Sequence, residues 1–274
     1  MVESTHDVVI GDREVVKRYR SWQRGEPDRE WAGLSLLDRF APGLAPRPVK
    51  QRVEDGVPVL VMSRLPGVAL GSEQLSDRRL GAVAAALTQL HTVVPADVVA
   101  SLPRRLWSPA EAVTHLRGSV QEQPSDVGSG VRRAFAAGSE WIGSPEATVF
   151  AEQEVPLVFA QADGNLANFI WDGSRCGLVD FEDSGASDRA FEIADLVEHV
   201  SAWLTGVLDA ERLLEYLGLD AALSDRVRDA RRVMALFWLV MLLPGNPGHH
   251  RNPVGSVDRQ AERLLGLLDS APAP

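Results

Sequence analysis

This sequence has little cysteine, no long apolar segment and no excess of basic residues. Its 274 residues include one cysteine, Cys176, which excludes an internal disulfide and a metal site built from several cysteines. The longest apolar run, residues 233–243, is too short to span a bilayer and predicts a buried helix. Acidic residues outnumber basic residues by 38 to 28, which argues against nucleic acid as a partner.

The remaining composition is that of an ordinary globular protein. Hydrophobic residues make up 45% of the chain and charged residues 24%, and the length suits one large domain or two lobes. The net charge of -10 is compatible with a cationic small substrate, although it does not require one. The first residues are polar and show no signal peptide, so we expect a cytoplasmic protein without a membrane partner. The sequence leaves a monomer and a homodimer equally open.

One stretch, residues 159–199, concentrates oxygen-bearing side chains at the ends of predicted strands. Asn168 follows Asp163 by five residues, and Asp180 ends a short hydrophobic run. The turn sequence at 172–174 (DGS) predicts a hairpin, which would bring Asn168 and Asp180 to the same end of two paired strands. Because Mg²⁺ prefers oxygen ligands, these two residues are candidate ligands of a metal bound to nucleotide phosphates. Asp163 would then accept a hydrogen bond from an attacking hydroxyl group.

The same stretch resembles the catalytic and metal-binding loops of the aminoglycoside phosphotransferase family, which are relatives of protein kinases. That family carries H-x-D-x-x-x-x-N, a strand ending in I-D-[WF]-E, then G-x-x-D-P and a helix with D-L-A. This chain matches the motifs in order over about forty residues, with QADGNLAN at 161–168, VDFE at 179–182, GASD at 185–188 and IADL at 193–196. Two positions depart from the pattern, because Gln161 replaces His and Arg189 replaces Pro.

The resemblance implies an α+β fold of the protein-kinase type with two lobes. A small N-lobe built on an antiparallel sheet would comprise residues 1–63, and a larger, mainly helical C-lobe would comprise residues 64–274. The resemblance also implies ATP, or alternatively GTP, as the phosphate donor and Mg²⁺ as the metal. Asp163 would be the catalytic base, and Asn168 and Asp180 would be the metal ligands.

Lys17 and Glu30 occupy places that resemble the N-lobe of these enzymes. Residues 14–19 read as a strand and residues 28–40 as a helix with an apolar stripe. By the resemblance, Lys17 would contact the nucleotide phosphates and Glu30 would hold the lysine. From the residues alone, a surface lysine and a first-turn glutamate favoured by the helix dipole remain the alternative.

The predicted nucleotide site has a linker but no clear glycine-rich loop. Met62, Ser63 and Arg64 resemble the segment between the lobes, whose backbone groups would bind adenine. Kinases cover the phosphates with a glycine-rich loop between two strands that precede the lysine strand. Here a single predicted strand, residues 7–10, precedes it, followed by Gly11. The N-lobe is therefore trimmed, or the phosphates are covered in another way.

Acidic side chains crowd the region after Asp180. Glu182 and Asp183 follow it closely, and Glu198 lies in a helix predicted over residues 189–204. One interpretation is an acidic rim that binds amino groups of a substrate. The other is a solvated helix face together with structural loop acids.

Two classes of function follow from these patterns. The first is an ATP-dependent phosphotransferase that moves the γ-phosphate to a hydroxyl of a small molecule. The acidic balance favours an aminoglycoside or another hydroxyl-bearing antibiotic as the acceptor, with choline, homoserine or a sugar as the alternative. The second is a catalytically inactive, kinase-like binding module. Gln161 and the missing glycine-rich loop favour this second class, and the presence of Lys17, Asp163, Asn168 and Asp180 argues against it.

Overall fold

The computed structural model describes residues 6–204 and 206–270, which fall into two compact units. The first unit combines the chain up to Leu106 with Leu157–Ser187, and the second combines Trp107–Pro156 with the chain from Asp188 onward. This division follows contacts within the structure. The predicted lobe boundary near residue 64 is a different division and stays a prediction.

A four-stranded antiparallel sheet opens the first unit, and both strands predicted at residues 7–10 and 14–19 are present in it. Its strands are ordered β1-β2-β4-β3, with β1 at Asp7–Ile10, β2 at Glu14–Arg18, β3 at Pro48–Glu54 and β4 at Val57–Ser63. Strand β2 lies between β1 and β4, and its Lys17 faces Val8 on one side and Leu60 on the other. The sheet therefore fixes the backbone of the lysine from both sides.

Helix α1, at Glu26–Phe40, packs against this sheet. It starts two residues before the predicted boundary, because Pro27 pre-sets the backbone of the first turn. Its predicted apolar stripe is present, since Leu34 and Leu37 are fully buried. The buried face of the helix also carries Glu30.

The rest of the first unit contains a three-stranded antiparallel sheet, a two-stranded sheet and two helices. The predicted hairpin around the DGS turn joins β7 to β8, and Phe169 pairs with Leu178. Strand β5 pairs with β7, and β6 pairs with β9. These elements are β5 at Val68–Ala69, α2 at Asp77–Val93, α3 at Ala96–Ala100, β6 at Leu157–Ala160, β7 at Phe169–Trp171, β8 at Cys176–Leu178 and β9 at Gly185–Asp188, with a short 3₁₀ turn at Leu166–Asn168.

In its described residues, the second unit consists of helices joined by turns and loops. Its core is an apolar cluster contributed mainly by the long helix α10 and the helices that pack on it, α5, α7 and α12. The apolar run at 233–243 forms most of the buried length of α10, as predicted. The helices are α4 at Pro109–Ser119, α5 at Ser129–Ile142, α6 at Pro145–Glu152, α7 at Arg189–Glu198, α8 at Val200–Trp203, α9 at Ala210–Leu217, α10 at Ala221–Leu242, α11 at Pro247–Arg251 and α12 at Ser256–Asp269.

The single helix predicted over residues 189–204 is wrong, because the helix breaks at His199. This residue adopts an extended conformation with φ -62° and ψ 135°. Its Nδ1 atom accepts a hydrogen bond of 3.1 Å from the backbone N–H of Ser201 and so caps α8. Burial lowers the pKa of His199 to about 4, so this ring is neutral near pH 7 and can serve as an acceptor.

The predicted fold class is confirmed, since small antiparallel sheets accompany a larger helical portion. Among the described residues, none of the helices combines the length and the apolar character needed to cross a bilayer.

Candidate active site

A cavity of about 290 Å³ in the first unit brings together seven residues that the sequence analysis singled out. Apolar side chains from β1, β2 and β7 form much of the remaining lining, among them Val8, Ile10, Val15 and Ile170. A small, mostly apolar cavity with a few convergent polar groups is typical of a ligand site. The seven residues are Lys17, Glu30, Met62, Ser63, Arg64, Asn168 and Asp180.

The ammonium group of Lys17 lies among three carboxylates. Its Nζ atom is 2.8 Å from Glu30 Oε2, 2.6 Å from Asp180 Oδ1 and 2.7 Å from Glu182 Oε2. Lys17 is only 5% exposed, so burial by itself opposes its charge. The three anions outweigh that cost and raise the pKa of Lys17 above its ordinary value. This lysine is therefore a charged, buried group and not the surface lysine of the alternative interpretation.

Glu30 connects helix α1 to both Lys17 and the loop after β8. Its Oε2 atom accepts hydrogen bonds from Lys17 and from the hydroxyl of Tyr19, and its Oε1 atom accepts one of 3.4 Å from the backbone N–H of Phe181. Burial raises the pKa of Glu30, while the Lys17 ammonium and the Tyr19 hydroxyl act in the opposite direction. Burial and the negative charge of Glu30 also raise the pKa of Tyr19, which keeps its hydroxyl protonated as a donor.

Asp163 and Asn168 form a hydrogen-bonded loop directly before β7. The amide Nδ2 of Asn168 donates to Asp163 Oδ2 at 2.8 Å, and the backbone N–H of Asn165 donates to Asp163 Oδ1 at 2.9 Å. The carbonyl of Asn168 accepts a hydrogen bond of 3.0 Å from the N–H of Val179. That bond ties the loop to the residue before Asp180, so the hairpin brings Asn168 and Asp180 together.

Two residues of this site adopt the left-handed backbone conformation that non-glycine residues seldom occupy. Ala162, directly before Asp163, has φ 70°, and Asp180 has φ 68°. An alanine gains no side-chain hydrogen bond in return for this conformation, so the surrounding structure must enforce it. Arg105 contributes to that enforcement, because its Nη2 atom donates to the carbonyl of Ala162 at 3.1 Å.

Gln161 stands where the aminoglycoside phosphotransferase pattern has histidine. It links the loop that carries Asp163 to the segment that ends in Asp180. Its Nε2 atom donates a hydrogen bond to the carbonyl of Val179, and its side chain is buried. The amide of glutamine thus holds the backbone next to Asp180, as we expected from its ability to donate and accept hydrogen bonds.

The side chains at the end of the cavity fit a hard cation such as Mg²⁺. The carboxylate oxygens of Glu30, Asp180 and Glu182 lie within 4.8 Å of one another, and Asn168 lines the same cavity. Asn168 uses its NH₂ group on Asp163, which leaves its amide oxygen as the atom suited to a metal. Carboxylate and amide oxygens are the ligand types that Mg²⁺ prefers. Lys17 contacts the Asp180 carboxylate, so metal binding there would require that contact to be shared or released.

The linker residues line the cavity, but their backbone donors are already used. The N–H of Ser63 donates to the carbonyl of Arg47 at 2.8 Å, and the N–H of Arg64 donates to the carbonyl of Arg13 at 2.8 Å. The guanidinium of Arg64 additionally donates to the carbonyl of Gly11 at 3.2 Å. A ligand at this linker would therefore meet carbonyl oxygens and side chains, because these two N–H groups belong to the sheet and its turn.

The structure gives no support to substrate contacts at the three acids predicted to form a rim. Glu182 contacts Lys17 and His6, and Asp183 lies 3.3 Å from a guanidinium nitrogen of Arg24. Burial raises the pKa of Asp183, and Arg24 opposes that effect.

Glu198, on α7 of the second unit, contacts two arginine side chains. It is fully buried, and Arg231 Nε donates to its Oε1 atom at 2.7 Å. Arg263 contacts both of its oxygens. Because Glu198 is buried between two arginines, it does not lie on the solvated helix face of the alternative interpretation.

Sequence reasoning missed three residues that support the site: His6, Tyr19 and Arg105. His6 binds Glu182, Tyr19 binds Glu30, and Arg105 binds the carbonyl of Ala162. None of the three lies in a recognisable motif. A sequence signal was available only for Tyr19, whose position two residues after Lys17 places it on the same face of an extended strand.

Comparison with known families identifies the class of protein that carries this fold and cavity. The sequence model of the phosphotransferase enzyme family (APH) matches residues 5–236. The chain therefore belongs to this family. The prediction of a phosphotransferase that acts on an alcohol group of a small molecule is confirmed at the level of the family. No curated protein sequence gives a significant match.

Solved structures of small-molecule kinases share the fold. A choline/ethanolamine kinase family protein from Mesorhizobium loti is 17% identical, with a TM-score of 0.63 over 97% of this chain and 86% of that chain. Spectinomycin phosphotransferase in complex with ADP and spectinomycin is 12% identical, with a TM-score of 0.58 over 98% and 87%. An ADP-bound aminoglycoside phosphotransferase is 17% identical, with a TM-score of 0.62 over 97% and 90%. The predicted protein-kinase-like fold is thereby confirmed.

Proposed function

We propose that the protein transfers the γ-phosphate of ATP to a hydroxyl group of a small molecule. The observation that carries this proposal is the convergence of Lys17, Asn168 and Asp180 on one cavity, with Asp163 hydrogen-bonded to Asn168. A cation, an amide and two carboxylates are the groups that phosphoryl transfer requires for positioning and for charge neutralisation.

Each of these residues receives a role from its chemistry and its contacts. Asp163 accepts the proton of the acceptor hydroxyl while the hydroxyl oxygen bonds to the γ-phosphorus and the P–O bond to ADP breaks. Lys17 neutralises negative charge on the nucleotide phosphates, and Glu30 keeps its ammonium in place. Asn168 and Asp180 would hold Mg²⁺, which when bound supplies further positive charge next to the phosphates.

The apolar part of the cavity is suited to a nucleobase. Val8, Ile10 and Ile170 line it together with Met62, and carbonyl groups at Ser63 and Arg64 would supply polar contacts. ADP is bound in two of the structurally similar proteins, which supports a purine nucleotide as the donor.

For the acceptor, we propose a cationic, hydroxyl-bearing antibiotic of the aminoglycoside type. The net charge of -10 favours a cationic ligand, and two structurally similar proteins bind spectinomycin or gentamicin. Choline and ethanolamine are the second candidates, because a choline/ethanolamine kinase family protein is equally similar in fold. Both acceptor classes are cationic, so charge alone does not separate them.

The decisive experiment is a screen for acceptor-dependent ADP release, with mass spectrometry of the product. The panel contains aminoglycosides, spectinomycin, choline, ethanolamine, homoserine and simple sugars, each with Mg-ATP and with Mg-GTP. An antibiotic that gains one phosphoryl group supports the resistance function, and expression should then protect a susceptible bacterium against that compound. Phosphorylation of choline or ethanolamine alone would instead place the protein among metabolite kinases.

The role of Asp163 is tested by substitution with Asn. We expect the Asp163→Asn variant to lose at least about 100-fold in turnover, because removal of a positioned general base costs that much or more, while ATP binding changes little. Asp97→Asn, at an exposed position in the first turn of α3, is the matched control and should keep wild-type turnover. Wild-type turnover in the Asp163 variant would refute this assignment.

The alternative of an inactive binding module makes a different prediction for the same preparations. Such a module would be stabilised by Mg-ATP in a thermal-shift assay, and it would phosphorylate none of the acceptors. The Asp163→Asn substitution would then leave the stabilisation by Mg-ATP unchanged.

A further inference from the structure

We propose that Glu182, held in place by His6, is a second carboxylate anchor for Lys17 and thereby a determinant of nucleotide affinity. The proposal rests on the proposed function, because it assigns the anchored lysine to the nucleotide phosphates. It gives Glu182 a different role from the substrate contact that its position after Asp180 first suggested.

One oxygen of Glu182 receives two hydrogen bonds. Its Oε2 atom lies 2.7 Å from Lys17 Nζ and 2.7 Å from His6 Nε2. The side chain of Glu182 is 15% exposed, so these contacts are largely shielded from solvent. Hydrogen bonds to a charged partner in such surroundings are stronger than those at an exposed surface.

The orientation of His6 follows from its second nitrogen. The backbone N–H of Arg20 donates to His6 Nδ1 at 3.2 Å, which makes Nδ1 an acceptor. In a neutral imidazole the proton must then reside on Nε2, which is the atom that faces Glu182. His6 is 3% exposed, and its ring packs on Tyr19 with centroids 4.8 Å apart. The ring is therefore fixed in position and acts as a donor to Glu182.

These contacts close into a ring around the lysine. His6 donates to Glu182, Glu182 accepts from Lys17, and Lys17 also donates to Glu30. Tyr19 donates to Glu30 and packs on His6, which completes the ring. Each member restricts the rotamer of the next one, so Glu30 and Glu182 together hold Lys17 from two sides.

The second anchor matters because Asp180 is the third contact of Lys17 and is also a proposed metal ligand. If Asp180 turns to a metal, Lys17 still keeps Glu30 and Glu182. In the described residues, strand β1 precedes β2, the strand that carries Lys17. His6 comes directly before β1. The residue before β1 thus contributes to the support of the lysine.

The test measures nucleotide binding without turnover, using ADP and calorimetry in EDTA and again in Mg²⁺. His6→Phe keeps an aromatic ring against Tyr19 but removes the Nε2 donor, and His6→Gln keeps an N–H donor but removes the ring. We expect His6→Phe to raise the Kd for ADP about tenfold in both buffers and His6→Gln to stay within about threefold of wild type. His115→Phe, at an exposed position in the second unit, is the control and should leave the Kd unchanged.

Glu182→Gln separates a lysine anchor from a metal ligand. As an anchor, its replacement raises the Kd about tenfold with and without Mg²⁺, because Lys17 loses a carboxylate that holds its ammonium group in position. An effect that appears only with Mg²⁺ would overturn the proposal and make Glu182 a metal ligand. Unchanged binding in His6→Phe, or equal losses in both His6 variants, would likewise overturn the role of His6. If the wild-type protein binds no nucleotide in either buffer, it is the proposed function that fails, and melting curves establish that each variant is folded.

Discussion

Replacement of Lys17 by methionine tests the buried charge cluster most directly. Methionine keeps the apolar stem and much of the volume of lysine but removes the ammonium group. Lys17 is 5% exposed and Glu30 1% exposed, and their charged atoms are 2.8 Å apart. Removing one partner of a buried ion pair costs about 3–5 kcal/mol, because the other charge is left buried and uncompensated. Asp180 and Glu182 are more exposed, so we assign this cost to Glu30 alone.

The loss of stability in Lys17→Met should depend on pH. Burial raises the pKa of Glu30 in the folded state, and in the variant no ammonium opposes that effect. In the folded variant, Glu30 then keeps a proton that it releases in the unfolded chain near the ordinary glutamate pKa of 4.5. The free energy of unfolding therefore falls as pH rises from 4.5 to the raised pKa of Glu30 in the folded variant. The fall is up to about 1.4 kcal/mol per pH unit. We expect the deficit relative to wild type to be larger at pH 8 than at pH 5.

The assay is urea unfolding of a double-mutant cycle at both pH values. Lys17→Met, Glu30→Gln and the double variant should show a coupling free energy of at least about 2 kcal/mol, because the double variant removes both members of the Lys17–Glu30 pair. Lys50→Met removes the only other lysine of the chain, at an exposed position on β3, and should change stability by less than about 0.5 kcal/mol. Additive single effects, or a cost below about 1 kcal/mol for Lys17→Met, would refute the reasoning.

Three further predictions address acid stability, loop positioning and backbone packing. Burial opposes ionisation of Glu182, but the hydrogen bond from His6 and the charge and hydrogen bond of Lys17 lower its pKa from 4.5 to about 2. Wild type should therefore lose up to about 3 kcal/mol of unfolding free energy relative to Glu182→Gln as pH falls through that interval, measured by chemical unfolding in EDTA. Gln161→Leu removes the donor to the Val179 carbonyl and should lower kcat about tenfold. Gln161→His should recover most of that loss. Equal kcat in wild type and both variants would contradict a positioning role for Gln161. A Cβ at Gly185 would lie 2.6 Å from backbone atoms, so Gly185→Ala should destabilise by about 1–3 kcal/mol in urea, whereas Gly130→Ala meets open space and should not destabilise.

The parts of the site that could be predicted from sequence depend on contacts that are local along the chain. Asp163 and Asn168 are five residues apart and lie in one loop, and the DGS turn forces β7 and β8 to pair. Once that hairpin exists, Asp180 must lie near Asn168. Strand β2 and helix α1 follow from their hydrophobic periodicity, which is why Lys17 and Glu30 could be placed on the correct elements.

Contacts between distant segments could not be predicted in this way. His6 and Glu182 are separated by 176 positions, and neither residue shows a local pattern that indicates the other. Arg105 reaches the carbonyl of Ala162 across 57 positions, and nothing in its sequence neighbourhood marks it as support for the catalytic loop. Glu198 lies among other acids in the sequence, yet two arginines from α10 and α12 surround it in the folded unit. The break at His199 also escaped prediction, because the apolar periodicity runs on through a residue whose ring caps the next helix.

The sequence by itself determined the class of chemistry, because the order and spacing of acid, amide and second acid are local properties of one loop and one hairpin. Only the tertiary structure decided which acids are buried and which cations lie next to each of them. Both properties arise from the packing of segments far apart in the chain.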